Sequence, residues 1–194
     1  MDNDFILHLI RHAPTAGNVR KQYIGWTDEP VLPFRAKSDK SCRVVWGSDL
    51  QRCRQTASIL FPNAEYRAVT NFRECNFGQW EMKTYKELAH NQSYRAWIDD
   101  PLVNIPPDGE SFSQVILRVE EALQNLPAGN EFTILMHGGP LRYLLARAKK
   151  QAFNEQYALH GDCHTIVWES RKAFGEGARC KSYSVEPLMA KDNL

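Results

Sequence analysis

Long apolar runs, net charge and closely spaced cysteines are all scarce in this chain. No apolar stretch approaches the roughly 20 residues of a membrane-spanning helix, and the opening residues Met1-Asp2-Asn3-Asp4 lack the basic start of a secretory leader. Lysine plus arginine number 24 against 23 aspartates and glutamates, a formal net charge of +1. No global field therefore draws the chain to nucleic acid or to an anionic membrane, and anion recognition has to be local. The five cysteines, Cys42, Cys53, Cys75, Cys163 and Cys180, are odd in number and widely spaced, with no C-x-x-C pair. That argues against a zinc site or a disulfide framework and suits a reducing compartment. No Gly/Ser- or Pro-rich linker, repeat or low-complexity segment divides the chain. The expectation is one soluble, cytoplasmic domain over residues 1–194, monomer or homodimer, with no nucleic-acid or membrane partner.

What is present is an alternation of short apolar runs and helical stripes. Residues 5–10 read as a buried strand, and further strands are predicted at 43–46, 65–70, 132–136, 165–168 and 182–185. Ser48 or Asp49 is placed to cap a helix running to about Leu60. Helices are also predicted over 83–97, over 111–126 and after His137, where Leu141, Leu144 and Leu145 share a face. Residues 25–30, 77–80 and 100–109 read as loops, and the tail at 190–194 as frayed. Strands alternating with helices predict an α/β fold, a three-layer α/β/α sandwich with a mainly parallel sheet.

In such sheets, ligands bind beyond the carboxyl ends of the strands. Four segments put polar groups there. Arg11-His12 follows the first strand, with Gly17 and Asn18 in the loop beyond. The run Ser48-Asp49-Leu50-Gln51-Arg52-Cys53-Arg54-Gln55-Thr56-Ala57 joins a strand to a helix. Arg73-Glu74-Cys75-Asn76-Phe77-Gly78-Gln79-Trp80-Glu81 follows the strand at 65–70. His137-Gly138-Gly139 joins another strand to a helix. Two histidines, two arginines and a glutamate converging on one pocket suit phosphoryl transfer to an imidazole. Cationic donors hold the phosphoryl oxygens while a neutral nitrogen attacks in line.

In these four segments the chain resembles the histidine phosphatase superfamily, branch 1, the phosphoglycerate-mutase-like group. The resemblance extends from Phe5 to about Trp168. It implies a phosphoglycerate-mutase-like fold and assigns His12 as the nucleophile that becomes phosphohistidine. Arg11 and Arg52 become phosphate clamps, and His137 a second histidine that binds the phosphate. Asn18 and Gly138 are implied as phosphate contacts. Glu74 is implied as the acid that protonates the leaving oxygen and then the base that activates water. No metal or other cofactor is implied, because arginines and imidazoles supply the positive charge.

Other residues read as structural. Arg54 belongs on a solvated helix face, Glu81 in a supporting role and His8 packed on its strand. His160 and His164, near a late loop and strand, are read as structural in preference to lining the pocket mouth. Trp26, Trp80 and Trp97 read as core or loop anchors, Trp26 being a candidate for the pocket border.

The implied substrate is a small phosphorylated metabolite. Residues 77–82, Tyr85-Lys86-Glu87-Leu88, Tyr94-Arg95-Ala96-Trp97 and residues 106–112 are similar to α-ribazole-5′-phosphate phosphatases, which act late in assembly of the cobalamin nucleotide loop. Phosphatases of other metabolites and phosphoglycerate mutases share the site. The mutases' basic insert after the acid loop is not seen, which favours net hydrolysis. A non-catalytic phospho-ligand binder is the alternative of another class. The segment 31–42 departs from the family pattern and implies a shortened first helix.

Overall fold

The computed structural model describes residues 4–36 and 42–190. The frayed end expected beyond Ala190, the opening tripeptide and positions 37–41 of the shortened segment lie outside these residues. Six strands, β1 (Phe5–Arg11), β2 (Val44–Gly47), β3 (Glu65–Ala68), β4 (Glu131–Met136), β5 (Asp162–Trp168) and β6 (Ser182–Pro187), form one sheet in the order β3-β2-β4-β1-β5-β6. The pairs β1–β4, β2–β4 and β2–β3 are parallel, whereas β5 runs antiparallel to both β1 and β6. The sheet is therefore mixed, with β5 alone reversed.

Alternation along each strand builds a core on each face. Phe5, Leu7 and Leu9 of β1 pack with Ile134 and Met136 of β4 against the helices α5 (Phe112–Gln124) and α6 (Gly138–Lys149). Ile10 of β1 and Leu135 of β4 point the other way and pack on Cys53, Ala57 and Leu60 of α2 (Gln51–Leu60). Helices thus cover both faces of the sheet, as the sandwich reading requires.

Several local expectations change. The helix predicted over 83–97 is two short ones, α3 (Tyr85–Leu88) and α4 (Gln92–Asp99), because Asn91 caps a new start by accepting from the Tyr94 amide. Neither Ser48 nor Asp49 caps α2; its cap residue is Leu50. Asp49 is held instead by Arg73, and Asp28 from the preceding turn accepts the Gln51 amide at 2.8 Å. The strand at 65–70 stops at Ala68 and gives way to a 3₁₀ turn, Thr70–Phe72. The loop after His12 contains a helical turn, α1 (Ala16–Val19), closed by a capping box between Thr15 and Asn18. A last short helix, α7 (Arg171–Gly175), follows β5. Between Val31 and Ala36 the chain forms isolated bridges, to Thr15 and Met189, and no helix.

Candidate active site

The parallel strands β1, β2, β3 and β4 end at the same edge, so the segments that follow them meet. Reversed β5 brings its entry loop, residues 156–161, to that edge as well. His12 follows β1 directly, and its amide donates to the Met136 carbonyl at 3.1 Å, continuing the β1–β4 ladder. The side chain is 3 % exposed. Its Nδ1–H donates to the Ala13 carbonyl at 2.7 Å, which leaves Nε2 with the lone pair. Burial, then the charge of Arg52, then His160 and Arg11 hold the imidazole well below its usual pKa. His12 is therefore neutral at neutral pH, with one unprotonated nitrogen.

Two guanidiniums flank it. Arg52 is fully buried. It donates from Nη1 to the Thr27 carbonyl (2.8 Å) and from Nη2 to the Gly25 carbonyl (2.6 Å). Its Nε donates to His137 Nδ1 at 3.3 Å, which leaves the His137 proton on Nε2, 3.6 Å from Cys53 Sγ. The His12 and His137 rings lie 5.0 Å apart. Burial, then Arg52, hold His137 well below the usual imidazole pKa too. Arg11 donates from Nη1 to the Ala158 carbonyl at 2.8 Å, while its buried Nε has no partner among the described residues. A buried donor on a permanently charged group, without an acceptor, is a place for an anion's oxygen.

Glu74 stands across this group at the start of α6. Its Oε2 accepts from the Gly139 amide at 2.9 Å and its Oε1 from the Cys75 amide at 2.9 Å. The glycine leaves room for this contact: a Cβ at position 139 would lie 2.4 Å from Oε1. The backbone carrying Glu74 is fixed from behind by Arg118, which donates to the carbonyls of Asn71 (2.8 Å), Arg73 (2.7 Å) and Glu74 (2.9 Å). The same guanidinium pairs with the carboxylate of Glu110 at 2.6 Å. Arg11, Glu74, Gly138 and Gly139 line one end of a cavity of about 270 Å³. A larger cavity, about 580 Å³, lies among Val44, Glu131 and Thr133 near the opposite ends of the strands and touches none of these groups.

Residues 7–179 match the model of the histidine phosphatase superfamily, branch 1. The chain belongs to that superfamily. This histidine phosphatase is 27 % identical over 157 residues to the adenosylcobalamin/alpha-ribazole phosphatase of Escherichia coli K12, covering 73 % of the chain and 77 % of the relative. It is 29 % identical over 155 residues to a Yersinia enterocolitica protein named as a probable phosphoglycerate mutase, covering 71 % and 72 %. The fold is that of the crystal structure of the alpha-ribazole phosphatase from Shigella flexneri: TM-score 0.73, 23 % identity, 95 % of this chain and 96 % of that one. No helix among the described residues is long and apolar enough to cross a membrane.

The phosphatase brings His12, His137, Arg11, Arg52, Glu74 and Gly138 to one sheet edge. Asn18 sits in the first turn beyond it, where its Oδ1 accepts from the Thr15 amide at 3.1 Å. Arg54 is exposed, and its Nε donates to the Asp49 carbonyl. Glu81 is structural: its carboxylate accepts from the amides of Gly25, Trp26, Thr27 and Phe77 and from the Thr27 hydroxyl. It thereby fixes the loop whose carbonyls hold Arg52. His8 bonds Thr165 and Glu131, and His164 bonds Tyr183, away from the site. Trp26 borders the acid loop, donating to the Glu74 carbonyl at 3.1 Å.

His160 is the residue that sequence alone undervalues. Its ring lies 5.1 Å from that of His12, and its Nδ1–H donates to the His12 carbonyl at 2.8 Å. Only the antiparallel course of β5 puts it there. Arg118 and Arg142 likewise carry no local signal, since their stations on α5 and α6 read as ordinary helix-face arginines.

Proposed function

We propose that the protein hydrolyses phosphate monoesters through a phosphohistidine on His12. Nε2 of His12 attacks phosphorus as the bond to the ester oxygen breaks. The carboxyl proton of Glu74 goes to that departing oxygen. Arg11, Arg52 and His137 hold the non-bridging oxygens, whose charge is spread in the transition state. In the second half Glu74, now a carboxylate, takes a proton from water. The new P–O bond forms as the P–N bond breaks, restoring His12 and releasing phosphate. Asn18 and the start of α6 at Gly138 add contacts to the phosphoryl group. The guanidiniums supply the charge that a metal would otherwise provide, so no metal or cofactor takes part in this scheme. The observation that carries the reading is the buried, neutral His12, with Nδ1–H committed to the Ala13 carbonyl beside two guanidiniums.

For the substrate we favour α-ribazole 5′-phosphate. The resemblance of residues 77–97 and 106–112 supports it, as does similarity to a relative of that name. Identity does not separate this from the mutase reading, 27 % against 29 %. The short connection from Glu74 to α3, residues 75–84, leaves no room for a basic insert and favours net hydrolysis. Phosphate release from α-ribazole 5′-phosphate, beside 3-phosphoglycerate, fructose bisphosphates and an activated aryl phosphate, tests the assignment, with His12→Ala as control. A strong His12-dependent preference for the ribazole ester is expected. Isomerisation of 3-phosphoglycerate without net release would establish the mutase instead. Tight ligand binding without any turnover would establish the binder.

A further inference from the structure

The peptide unit between His12 and Ala13 is gripped from both sides. On one side the His12 carbonyl accepts from His160 Nδ1–H at 2.8 Å. On the other the Ala13 amide donates to Thr56 Oγ1 at 2.9 Å, and the Thr56 hydroxyl donates in turn to the Arg52 carbonyl at 2.7 Å. His12, Ala13 and Thr56 are all buried. Main-chain groups at such depth need partners, and here two side chains supply them from 43 and 148 positions along the chain. The loop that carries His160 also holds Arg11. The Ala158 carbonyl accepts from Arg11 Nη1 at 2.8 Å, and the Gly161 amide donates to the Arg11 carbonyl at 2.9 Å. The His160 ring is thereby fixed at its base and stands edge-on to that of His12, with 5.1 Å between centres.

The grip matters because of the next carbonyl. His12 Nδ1–H donates to the Ala13 carbonyl at 2.7 Å, one peptide further on. Where that carbonyl points is set by rotation about the two bonds at the Ala13 α-carbon, measured from the plane of the His12–Ala13 peptide. A tilt of that plane would carry the Ala13 carbonyl off the ring and release Nδ1–H. The proton could then sit on Nε2, the nitrogen that must stay bare to attack phosphorus. His160 adds no positive charge beside His12. Its Nδ1–H is committed to a carbonyl, and burial, then the charge of Arg11, hold its pKa down at about 4.

We propose that His160 and Thr56 are positioning residues for His12: by holding the carbonyl and the amide of one peptide unit, they keep the imidazole in its Nδ1–H tautomer with Nε2 bare. Both act through the backbone of the nucleophile. The tautomer is a property of the unliganded protein, and its consequence for rate rests on the phosphatase reading of His12.

Long-range ¹H–¹⁵N NMR of the histidine rings reads the tautomer without turnover, and rapid-quench phosphorylation by an activated aryl phosphate reads its consequence. His160→Phe keeps a ring and removes the donor; Thr56→Val keeps the shape and removes the acceptor. Each should show His12 in mixed tautomers. Each should also phosphorylate roughly 10- to 100-fold more slowly, while KM for the ester moves by less than about threefold. His160→Asn, whose Nδ2–H can serve the same carbonyl, and Thr56→Ser should recover most of the loss. The two substitutions lie on different elements, so either carries the test if the other does not fold. A single Nδ1–H tautomer with unchanged phosphorylation in His160→Phe and Thr56→Val would overturn the proposal. So would full activity in His160→Phe beside a loss in His160→Asn, because the shape of the ring and not its N–H would then count. Mixed tautomers in the variants of a protein that no ester phosphorylates would support the positioning role while refuting the phosphatase mechanism.

Discussion

Glu74 and Gly139 meet at 2.9 Å, the amide of the helix start donating to the carboxylate of the acid loop. The contact ties the proposed catalytic acid on one segment to the proposed phosphate-binding end of another. A Cβ at position 139 would lie 2.4 Å from the other carboxylate oxygen, so a larger residue there would push the carboxylate aside. Gly139→Ala should therefore displace the carboxylate and act as a partial Glu74→Gln. Turnover of an alkyl phosphate, whose leaving oxygen needs a proton, should fall by about 10²–10⁴-fold in Glu74→Gln and by less in Gly139→Ala. An activated aryl phosphate should lose much less in both. Equal losses on the two esters would remove Glu74 from the role of acid.

Arg118 touches none of the proposed phosphate ligands, yet three carbonyls of residues 71–74 converge on it. Arg118→Met would free that backbone and leave Glu110 partly buried and unpaired. Besides lower stability, the variant should show a steeper dependence of rate on leaving-group basicity, with alkyl esters losing roughly tenfold more than aryl esters. A uniform loss across esters would reduce Arg118 to a folding role.

The histidines set a pH dependence. Burial and neighbouring guanidiniums depress His12 well below the usual imidazole range, and burial, with Arg11, depresses His160 to about 4. In the unfolded chain both titrate near ~6.5. On acidification the unfolded state thus takes up protons first. The stability these histidines contribute is complete above about 6.5 and is lost as pH falls toward 4. Histidine-resolved NMR should show no His12 titration near 6.5, and the unfolding midpoint should fall with pH over that window. A His12 ring that titrates near 6.5 would mean it is not held neutral by its surroundings.

Glu81 carries a larger structural load than its place after the acid loop implies. Four amides and a hydroxyl share its carboxylate. Glu81→Ala should destabilise the fold by about 2–4 kcal/mol, roughly 5–15 °C in Tm. It should also weaken phosphate binding, since the carbonyls of Gly25 and Thr27 hold Arg52. An unchanged Tm would show that water replaces the carboxylate at little cost.

Much of this site is legible in the amino-acid sequence. Apolar runs ending in Arg11-His12 and Met136-His137 mark buried parallel strands whose ends carry polar groups, and chain order alone groups the four segments that meet there. Less visible is whatever depends on long-range pairing. His160 reaches His12 only because β5 is antiparallel, and local sequence does not encode strand direction. The break at Asn91 depends on a polar side chain choosing a backbone amide over solvent. Asp49 looks like a cap because nothing local shows that Arg73, far along the chain, claims it. Arg118 and Arg142 lie in helical stripes where an arginine normally faces water; burial beneath the acid loop and beside Phe153 gives them their parts.

The most direct test is a rapid acid-free quench during turnover of a ³²P-labelled ester, followed by peptide mapping. The expected result is an acid-labile, base-stable phosphoryl group on His12, formed faster than turnover and absent in His12→Ala. Phosphate release that persists in His12→Ala, or label on any other residue, would contradict a phosphohistidine mechanism at this site.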